Sequence, residues 1–458
     1  MPVHATFHSD SIVALATPQG VSALAVIRLS GKDAIEMTNR VFKGKDLTKQ
    51  PTHTAHLGVI QQGEKSIDEV LVTVFREPNS FTKENSVEIS CHGSMVIVKE
   101  IIKALLNQGA RLAEPGEYTK RAFLNGRFDL AQAEAVADLI HAETDNARQA
   151  ALNQMRGGFS KEIEHLRHEL IHFASLIELE LDFGEEDVEF AQRDELRQLI
   201  LKIQGYLQTL IRSFDLGNVI KNGIPTVIAG KPNAGKSTLL NALLNEEKAI
   251  VSDIAGTTRD VIEDEIILDG VAFRFIDTAG LRHTTDKIES IGVERTRDRM
   301  QKAALILYLV DLTNTSMPEV DEQLAELKAL GKPCIAIGNK MDKAEPALME
   351  ALERKGFLFI SAGQKTNLHL LKEKIMEHFH IRQVQQGDVL VTNLRHYEQL
   401  KQTHEALDRV LNGMATGMTG DFLAMDIRQA LHHLGEITGT ITTDDLLENI
   451  FSKFCIGK

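Results

Sequence analysis

A glycine-rich octapeptide is the part of this sequence best suited to chemistry. Residues Gly230-Lys231-Pro232-Asn233-Ala234-Gly235-Lys236-Ser237 match the pattern G-x-x-x-x-G-K-[ST]. In such a loop the glycines let backbone N–H groups approach and surround a phosphate. Lys236 would neutralise charge on the β- and γ-phosphates, and Ser237 would offer a hydroxyl to Mg²⁺. The run Pro225–Ala229 predicts a strand before the loop, and Thr238–Leu244 predicts a helix after it. This context distinguishes a P-loop from a chance glycine-rich turn.

Three further short motifs each follow a predicted strand of the same region. They are Asp277-Thr278-Ala279-Gly280, Asn339-Lys340-Met341-Asp342 and Ser361-Ala362. Asp277 can hold Mg²⁺ through water, and Gly280 can sense the γ-phosphate. Asp342 can accept two hydrogen bonds from the N1–H and the exocyclic amine of guanine, while Lys340 lies along the base and Ser361-Ala362 caps the guanine carbonyl. Adenine lacks that donor pair and would leave the carboxylate unpaired, so the motifs together predict a guanine nucleotide.

A polar segment, Asp253–Asp260, lies between the P-loop and the first of these motifs. Thr258 can supply a second hydroxyl to Mg²⁺ from a segment that changes with the bound nucleotide, although a plain polar turn is the alternative. The predicted GTP-binding set comprises Asn233, Ala234, Gly235, Lys236, Ser237, Thr238, Ser252, Asp253, Ile254, Ala255, Gly256, Thr257, Thr258, Asp277, Thr278, Ala279, Gly280, Asn339, Lys340, Met341, Asp342, Ser361 and Ala362.

Four consecutive stretches of predicted elements surround these residues. Residues 1–125 mix short strands with a helix, Ser94–Leu106, and predict an α+β domain. Residues 126–220 are nearly free of proline and predict long amphipathic helices. Residues 221–380 alternate strands with helices and predict a parallel α/β sheet. Residues 381–458 return to helical spacing. Their apolar stripes should pack on 126–220, which would make the α/β stretch an insertion into one helical domain.

The helical stripes are regular enough to predict which side chains face a core. Their apolar residues recur three and four positions apart. The three clearest are Ile163, Leu166, Leu170, Phe173 and Ile177; Leu196, Leu199, Ile203, Leu207, Leu210 and Phe214; and Tyr397, Leu400, His404, Leu407 and Leu411.

Composition excludes several classes of protein. The chain has 458 residues, 43% of them hydrophobic and 25% charged, which favours several globular domains over a disordered chain. Its 51 basic and 65 acidic residues give a net charge of −14, which argues against holding nucleic acid by bulk charge. Three cysteines cannot form a disulfide framework and favour a reducing compartment. Without a signal peptide or a membrane-length apolar run, we expect a cytoplasmic protein with no membrane association.

Three other motifs have plainer explanations. His168-Glu169-Leu170-Ile171-His172 spells the zinc-protease pattern H-E-x-x-H. Leu170 belongs to a buried stripe, so both histidines should face outward, away from any dry cleft that a catalytic zinc needs. The terminus Cys455-Ile456-Gly457-Lys458 has Gly457 where a prenylation signal needs an aliphatic residue. The run Glu185–Glu189 is more typical of a solvated acidic loop than of a metal site.

Taken together, the motifs resemble the MnmE family, also called TrmE, of tRNA-modification GTPases. The resemblance extends over the whole chain, and its most specific parts lie outside the nucleotide motifs. These are Ala25–Gly31, Val87–Gly93, Pro115–Tyr118, Arg121–Asn125, Asp129–Ala135 and the terminal Phe454–Lys458.

The resemblance implies a multidomain fold: an α+β N-terminal folate-binding domain that dimerises, an α-helical central domain and an inserted α/β Ras-like P-loop GTPase domain. The boundaries would be 1–125, 126–220, 221–380 and 381–458. It implies a homodimer that works with an MnmG-type partner, which carries FAD and uses NADH, in a heterotetramer. Their substrate would be the wobble uridine of certain tRNAs, which receives a carboxymethylaminomethyl group at carbon 5.

The resemblance also implies site residues beyond the nucleotide motifs. A folate such as 5-formyltetrahydrofolate would contact Arg28, Glu88, Arg127 and Lys458, and Cys455 would take part in the modification chemistry. Position 127 departs from the usual lysine, so the charge is kept but the hydrogen-bonding geometry changes. Leu281 occupies the place of a water-positioning glutamine, and the resemblance assigns that role to Glu289. It places K⁺, in addition to Mg²⁺ at Ser237 and Thr258, among a set of four residues: Asn233, Ser252, Ile254 and Thr257.

Two other classes of function remain open from the sequence. The chain could be a GTP-controlled factor for ribosome assembly, with Cys455 inert, or a zinc peptidase. Nucleosides of tRNA from a deletion strain distinguish the first from a tRNA-modifying enzyme, and metal analysis of the purified protein tests the second.

Overall fold

The computed structural model describes residues 10–182, 193–246, 264–268, 270–276, 300–379, 385 and 387–457. The chain folds into two compact units. The first comprises Met1–His141, Ala151–Ile211 and Arg395–Lys458, and the second comprises Ala142–Ala150 and Arg212–Leu394. The second unit therefore interrupts the sequence of the first. Among the described helices, none is both long enough and apolar enough to cross a membrane.

The first unit begins with a seven-stranded sheet in the order β3-β4-β5-β6-β2-β1-β7. Neighbouring strands of this sheet pair antiparallel, except for β1 and β7, which pair in parallel. Alternate residues of the central strands are buried on one face and packed under two helices, as expected for a sheet with one covered face. The elements are β1 Ile12–Leu15, β2 Ser22–Ser30, α1 Ala34–Val41, β3 Phe42–Lys43, β4 Thr54–Gln62, β5 Lys65–Phe75, β6 Ser86–Gly93, α2 Met95–Leu106 and β7 Arg111–Leu112, with a 3₁₀ turn at Leu47–Lys49.

In the described ranges 117–182 and 193–222, the sheet is followed by helices. They are α3 Glu117–Leu124, α4 Leu130–Ile140, α5 Asp145–Met155, α6 Gly158–Asp182 and α7 Arg193–Asn222. A reciprocal capping box begins α4, because Asp129 accepts from the Gln132 backbone N–H at 2.8 Å and the Gln132 side chain accepts from the Asp129 backbone at 3.1 Å.

The second unit is built on a six-stranded sheet in the order β13-β12-β11-β8-β10-β9. All pairs are parallel except β9 with β10. Apolar clusters cover both faces, with α8 and α11 on one and α9 and α10 on the other. The elements are β8 Ile224–Ala229, α8 Lys236–Glu246, β9 Asp264–Leu268, β10 Val271–Phe275, β11 Leu305–Asp311, α9 Met317–Ala329, β12 Cys334–Asn339, α10 Pro346–Glu353, β13 Leu358–Phe359 and α11 Leu368–Phe379, with a 3₁₀ turn at Met341–Lys343.

Three helices then complete the first unit: α12 Leu394–Ala415, α13 Gly420–Thr438 and α14 Asp444–Phe451. They pack on the earlier helices of that unit, as the stripes predict: α13 contacts α6 and α4. Gln204 of α7 donates to Asp408 of α12 at 2.6 Å. Across the same bundle Arg395 donates to Glu134 at 2.8 and 3.1 Å.

The structure adds one strand to the predicted sheet of the second unit. The sequence predicts a parallel α/β sheet, and β8, β10, β11, β12 and β13 do pair in parallel. The sequence analysis missed β9, an antiparallel edge strand. The connection from Leu268 to Val271 is too short for a crossover and can only form a hairpin, whose turn uses Gly270 at φ +80°.

One helical stripe, that of α12, is only partly as predicted. In α12 the buried face is centred on His396, Leu400, Thr403 and Val410, while Tyr397 and His404 are only half-buried. The sequence analysis missed this face because His396 and Thr403 are polar yet satisfied inside: His396 pairs with Glu134, and the Thr403 hydroxyl donates to Gln399 O.

The predicted central stripe of α6 is confirmed: Ile163, Leu166, Leu170 and Ile177 are buried, and Phe173 is half-buried.

Candidate functional site

The P-loop adopts the strand–loop–helix form that its spacing predicts. The chain leaves β8 at Ala229, and α8 begins at Lys236. A side chain at Gly230 would collide with the backbone carbonyl of Leu309, and one at Gly235 would collide with the Asn339 side chain. Both glycines have positive φ, of 147° and 97°. The loop is therefore bare backbone at both ends, which suits the close approach of a phosphate.

Lys236 lies over its own loop. Its Nζ donates to Gly230 O and to Lys231 O, each at 2.8 Å. Burial lowers the pKa of this ammonium group from its ordinary value. A phosphate in the loop would bring the opposite charge that offsets this desolvation, so the position suits a ligand of strongly negative charge.

Asn339 joins two loops of the site. Its Nδ2 donates to Ala234 O of the P-loop at 2.8 Å, and its Oδ1 accepts from the Ala362 backbone N–H at 3.0 Å. The residue is 2% exposed. Because one amide satisfies groups on both loops, it fixes the phosphate side of the site relative to the Ser361-Ala362 segment. The Ala362 N–H is engaged by Asn339 here, so its predicted role at a guanine carbonyl stays a prediction.

The remaining residues of the second motif are held at the same end of the sheet. Asp342 accepts from the Ser361 hydroxyl at 2.7 Å and from Gln364 at 3.3 Å. Lys340, at φ +63°, donates to Asp311 at 2.6 Å. Burial would raise the pKa of Asp311, but its hydrogen bonds with Lys340 and Thr313 outweigh that effect and lower it.

These contacts gather the motifs that follow β8, β12 and β13, with Asp311 of the intervening β11, at the carboxyl ends of the strands, where open α/β sheets bind their ligands. Two parts of the predicted nucleotide set, Ser252–Thr258 and Asp277–Gly280, lie outside the described residues, as does Glu289, the residue predicted to position water.

A second cluster of predicted site residues lies in the first unit. Arg28 and Glu88 face each other across β2 and β6, and the Arg28 Nε and Nη2 donate to Glu88 Oε1 at 3.0 and 2.7 Å. The Nη1 of Arg28 donates to Gly457 O at 3.3 Å, although the two residues are 429 positions apart. The C-terminal tail therefore reaches the N-terminal sheet of its own chain. Lys458 lies outside the described residues.

The third predicted folate contact lies near the first two. Arg127 donates through Nη1 to the Ser80 carbonyl. Its guanidinium and that of Arg28 approach the same ring, Phe81, with 5.1 Å and 5.6 Å from Cζ to the ring centroid. The structure thus brings together the three described members of the predicted folate set.

Cys455 is exposed, as predicted, whereas Cys91 is buried and Cys334 half-buried. The backbone carbonyl of Cys455 accepts from Gly116 N–H at 3.3 Å. Burial raises the pKa of the Cys91 and Cys334 thiols to about 11. These two thiols therefore stay protonated and unreactive at neutral pH.

The zinc-protease pattern lies on α6, and His168 and His172 both fall on its exposed side, as the register predicts. Across the described ranges, no three His, Cys, Asp or Glu side chains are grouped so that they could hold a metal ion.

Several site residues were not found from the sequence. Asp311 is an acidic residue at the end of β11, and its position after a predicted strand could have identified it as a site residue. Phe81 carried no such signal, and Tyr118 and Gly457 lay within motifs of the resemblance without an assigned role, because the contacts of all three depend on partners that only folding brings near.

Two family models match the chain. One, described as the MnmE helical domain, matches residues 130–455, and the other, described as the GTP-binding protein TrmE N-terminus, matches residues 11–127. A tRNA modification GTPase MnmE from Cytophaga hutchinsonii is 61% identical over 454 residues, which cover 99% of this chain and 99% of that protein. The chain belongs to the MnmE family of tRNA modification GTPases. Membership confirms the resemblance, and the predicted fold class with it.

Another MnmE relative, from Christiangramia forsetii, is 53% identical over 98% of this chain and 99% of its own length. Among solved structures, Aquifex aeolicus Era bound to GDP and aluminium fluoride is 29% identical over 40% of this chain and 66% of that chain. Its TM-score of 0.26 is too low to support any further conclusion.

Proposed function

We propose that this MnmE-family chain is a potassium-activated GTP hydrolase that installs a carboxymethylaminomethyl group at carbon 5 of the wobble uridine of certain tRNAs. It does so with an MnmG-type partner that supplies FAD and NADH chemistry, and it acts in the cytoplasm. Family membership supports the hydrolase and the tRNA; the partner and the chemical group rest on the resemblance.

The arrangement around Asn339 carries the guanine assignment. Its amide ties the P-loop to the 361–362 segment, while the Asp342 carboxylate is held beside Ser361. A carboxylate fixed at that end of the sheet can accept from the paired donors of guanine, and adenine would leave it unsatisfied.

Ser237 supports a magnesium ion beside the nucleotide. Its hydroxyl lies in the first turn of α8, next to the loop that would hold the phosphates, and oxygen ligands are those that Mg²⁺ prefers. Together with Thr258 it would hold the ion, whose charge would stabilise the negative charge that develops on the phosphates.

Asn233 supports the potassium site. It lies in the P-loop at φ +61°, and its amide oxygen is a suitable ligand for a monovalent cation, with Ser252, Ile254 and Thr257 as the other members of the set. Leu281 cannot orient a water molecule, so we assign that role to Glu289.

Arg28, Glu88, Arg127 and Lys458 form the proposed folate site, and the convergence of the first three supports it. Glu88 Oε1 accepts both bonds from Arg28. A carboxylate beside two guanidiniums can accept from the ring N–H groups of a reduced pterin, while the cations face its acidic tail. Deleting Cys455–Lys458 removes the Gly457 carbonyl from Arg28 and should weaken folate binding in calorimetry while GTP turnover persists. Full folate affinity after the deletion would remove the tail from the site.

The open face of the N-terminal sheet supports a homodimer. Leu57 pairs with Leu71, Leu71 with Ser90, and Ser90 with Val26, so a row across four strands is apolar at all positions except Ser90. Leu57 and Leu71 are 67% and 43% exposed. An exposed apolar row of this kind is typical of a protein interface. Two such dimerised chains would bind two partner chains in the heterotetramer.

Nucleoside analysis of total tRNA tests the function. A strain that lacks the gene should lose the modified wobble uridine, and the intact chain should restore it. A Glu350→Gln chain is the matched control, since Glu350 is exposed on α10 and pairs only with Arg354 among the described residues.

Cys455→Ser should fold and bind GTP yet fail to restore the nucleoside. Normal nucleosides in the deletion strain would favour a GTP-controlled assembly factor instead.

A further inference from the structure

Two residues of the proposed folate site share one aromatic ring. The centroid of the Phe81 ring lies 5.6 Å from Cζ of Arg28 and 5.1 Å from Cζ of Arg127. A guanidinium within about 6 Å of a ring centroid is attracted by the negative face of the ring. One side chain therefore stabilises both cations and limits the distance between them.

Two more rings extend this contact on either side. Tyr118 lies 5.7 Å from Cζ of Arg28, and Phe128 lies 5.2 Å from Cζ of Arg127. Tyr118 is fully buried, and its hydroxyl donates to the Arg28 carbonyl at 2.7 Å. We call this row of five side chains, Tyr118, Arg28, Phe81, Arg127 and Phe128, the aromatic ladder. Phe81 is its central member.

The loop that carries Phe81 is fastened to the chain around α3. Asn125 donates to the Thr82 carbonyl at 2.6 Å, and Lys83 donates to the Gly126 carbonyl at 2.8 Å. Arg121 pairs with Glu84 at 3.2 Å. These bonds flank Phe81 on its C-terminal side and hold its backbone, so the ring is in place before any ligand arrives.

The two arginines differ in the donors they have left. Arg28 uses Nε, Nη1 and Nη2 on Glu88 and the Gly457 carbonyl. Arg127 uses Nη1 on the Ser80 carbonyl, and within the described part of the chain its Nε and Nη2 donate to nothing. Nε and Nη2 form one edge of the guanidinium plane, which can bind a carboxylate through two parallel hydrogen bonds.

We propose that Phe81 is the positioning residue of this site: it holds the Arg127 plane so that Nε and Nη2 bind a carboxylate of the folate tail. The inference rests on the proposed folate function. It requires a planar cation at position 127, since an ammonium group would keep the charge but lose the two-bond edge and much of the ring contact.

NMR of arginine-selectively ¹⁵N-labelled protein tests the positioning without any ligand. Ring currents from Phe81 should displace the Nε–H signals of Arg28 and Arg127, and Arg127→Lys identifies the second signal by its loss. Phe81→Leu should shift both signals, and Phe81→Tyr, which keeps the ring, should restore them. Phe422→Leu, a change at a 57% exposed ring on α13, should leave both unchanged.

Calorimetry with 5-formyltetrahydrofolate tests the ligand. Phe81→Leu and Arg127→Lys should each weaken binding about tenfold, and Phe81→Tyr and Phe422→Leu should bind as the unchanged chain does. GTP turnover should be the same in all four variants. A thermal unfolding curve for each variant confirms that it is folded.

The outcomes distinguish the positioning role of Phe81 from the proposed folate function. Unshifted arginine signals in Phe81→Leu, or no rescue by Phe81→Tyr, would overturn the positioning role. Equal folate affinity for Arg127→Lys and the unchanged chain would overturn the carboxylate contact. If the unchanged chain binds no folate while Phe81→Leu shifts both signals, the proposed folate function and the carboxylate contact fail and the ring's hold on the arginines stands.

Discussion

Removing the side-chain amide of Asn339 should weaken GTP binding about tenfold, although this amide does not contact the phosphates of the nucleotide. It donates to Ala234 O at 2.8 Å and accepts from Ala362 N–H at 3.0 Å. In the proposed site GTP contacts the P-loop and the 361–362 segment at once, so a residue that fixes one relative to the other lowers the cost of binding. We consider two substitutions, Asn339→Ala and Asn339→Asp.

The magnitude follows from the groups left behind. Asn339→Ala orphans one carbonyl and one N–H in a place where the side chain is 2% exposed. A buried polar group that loses its partner costs about 1–3 kcal/mol, so the pair costs roughly 2–6 kcal/mol. In the free protein the two loops can relax into water, which removes part of that cost there, whereas bound GTP would hold the orphaned groups in place. If about 1.4 kcal/mol remains in the bound state, the dissociation constant rises about tenfold.

Asn339→Asp should be worse than Asn339→Ala although it is closer in shape. The carboxylate keeps the bond from Ala362 N–H. It also replaces the donor to Ala234 O with a charged oxygen, so two oxygens meet at hydrogen-bonding distance. The backbone of Gly235 packs against this side chain, since a Cβ built there would collide with Nδ2, and this contact restricts rotation of the carboxylate. The expected order of GTP affinity is therefore unchanged chain, then Ala, then Asp.

Equilibrium titration of a fluorescent GTP analogue into the full chain measures the three affinities. Glu350→Gln is the matched control and should bind within about twofold, the change expected of an exposed side chain. Thermal unfolding of each variant checks that it is folded. An Ala variant that binds as tightly as the unchanged chain, or an Asp variant tighter than Ala, would refute the argument that this amide joins the two loops.

Three other predictions follow from the described residues. Asp342→Asn should weaken GTP binding sharply and move the preference towards xanthosine triphosphate in competition titrations; unchanged GTP affinity would contradict the guanine assignment. GTP turnover should be faster in potassium chloride than in sodium chloride, and Asn233→Ala should remove that difference with little loss of GTP binding; equal rates in the unchanged chain would contradict the cation site. Burial would raise the pKa of Glu134, but His396 and Arg395 outweigh it and hold the pKa at about 2, against the ordinary 4.5. Because the unfolded carboxylate takes up protons first, the unchanged chain should lose on the order of 3 kcal/mol of unfolding free energy as pH falls from 4.5 to 2. Glu134→Gln should lose less over that range in thermal unfolding, and an identical pH dependence would show that Glu134 is not the titrating group.

The sequence predicted the features whose residues are neighbours along the chain. The P-loop needs its glycines and its lysine within eight positions, so their spacing alone fixes the turn between β8 and α8. The outward direction of His168 and His172 follows from the position of Leu170 in one helix. Such features depend on local backbone geometry, which a short stretch of sequence carries.

The boundaries 1–125, 126–220, 221–380 and 381–458 stay predictions, as do the residues at 252–258, 277–280 and 289. Family membership confirms the class of fold and leaves these details open.

Only the tertiary structure decided which distant groups meet. Asn339 reaches Ala234 across 105 positions, and Arg28 reaches Glu88 across 60 and Gly457 across 429. The predicted stripe of α12 is confirmed at Leu400 and Leu407, but the buried face also includes His396, which pairs with Glu134. A pattern that counts only apolar residues cannot detect a satisfied polar one. From the sequence alone, Phe81 is indistinguishable from an ordinary loop residue. It becomes the ring between two guanidiniums only because strand register and the bonds around α3 bring Arg28 and Arg127 to it, and no local spacing encodes a contact that long-range packing creates.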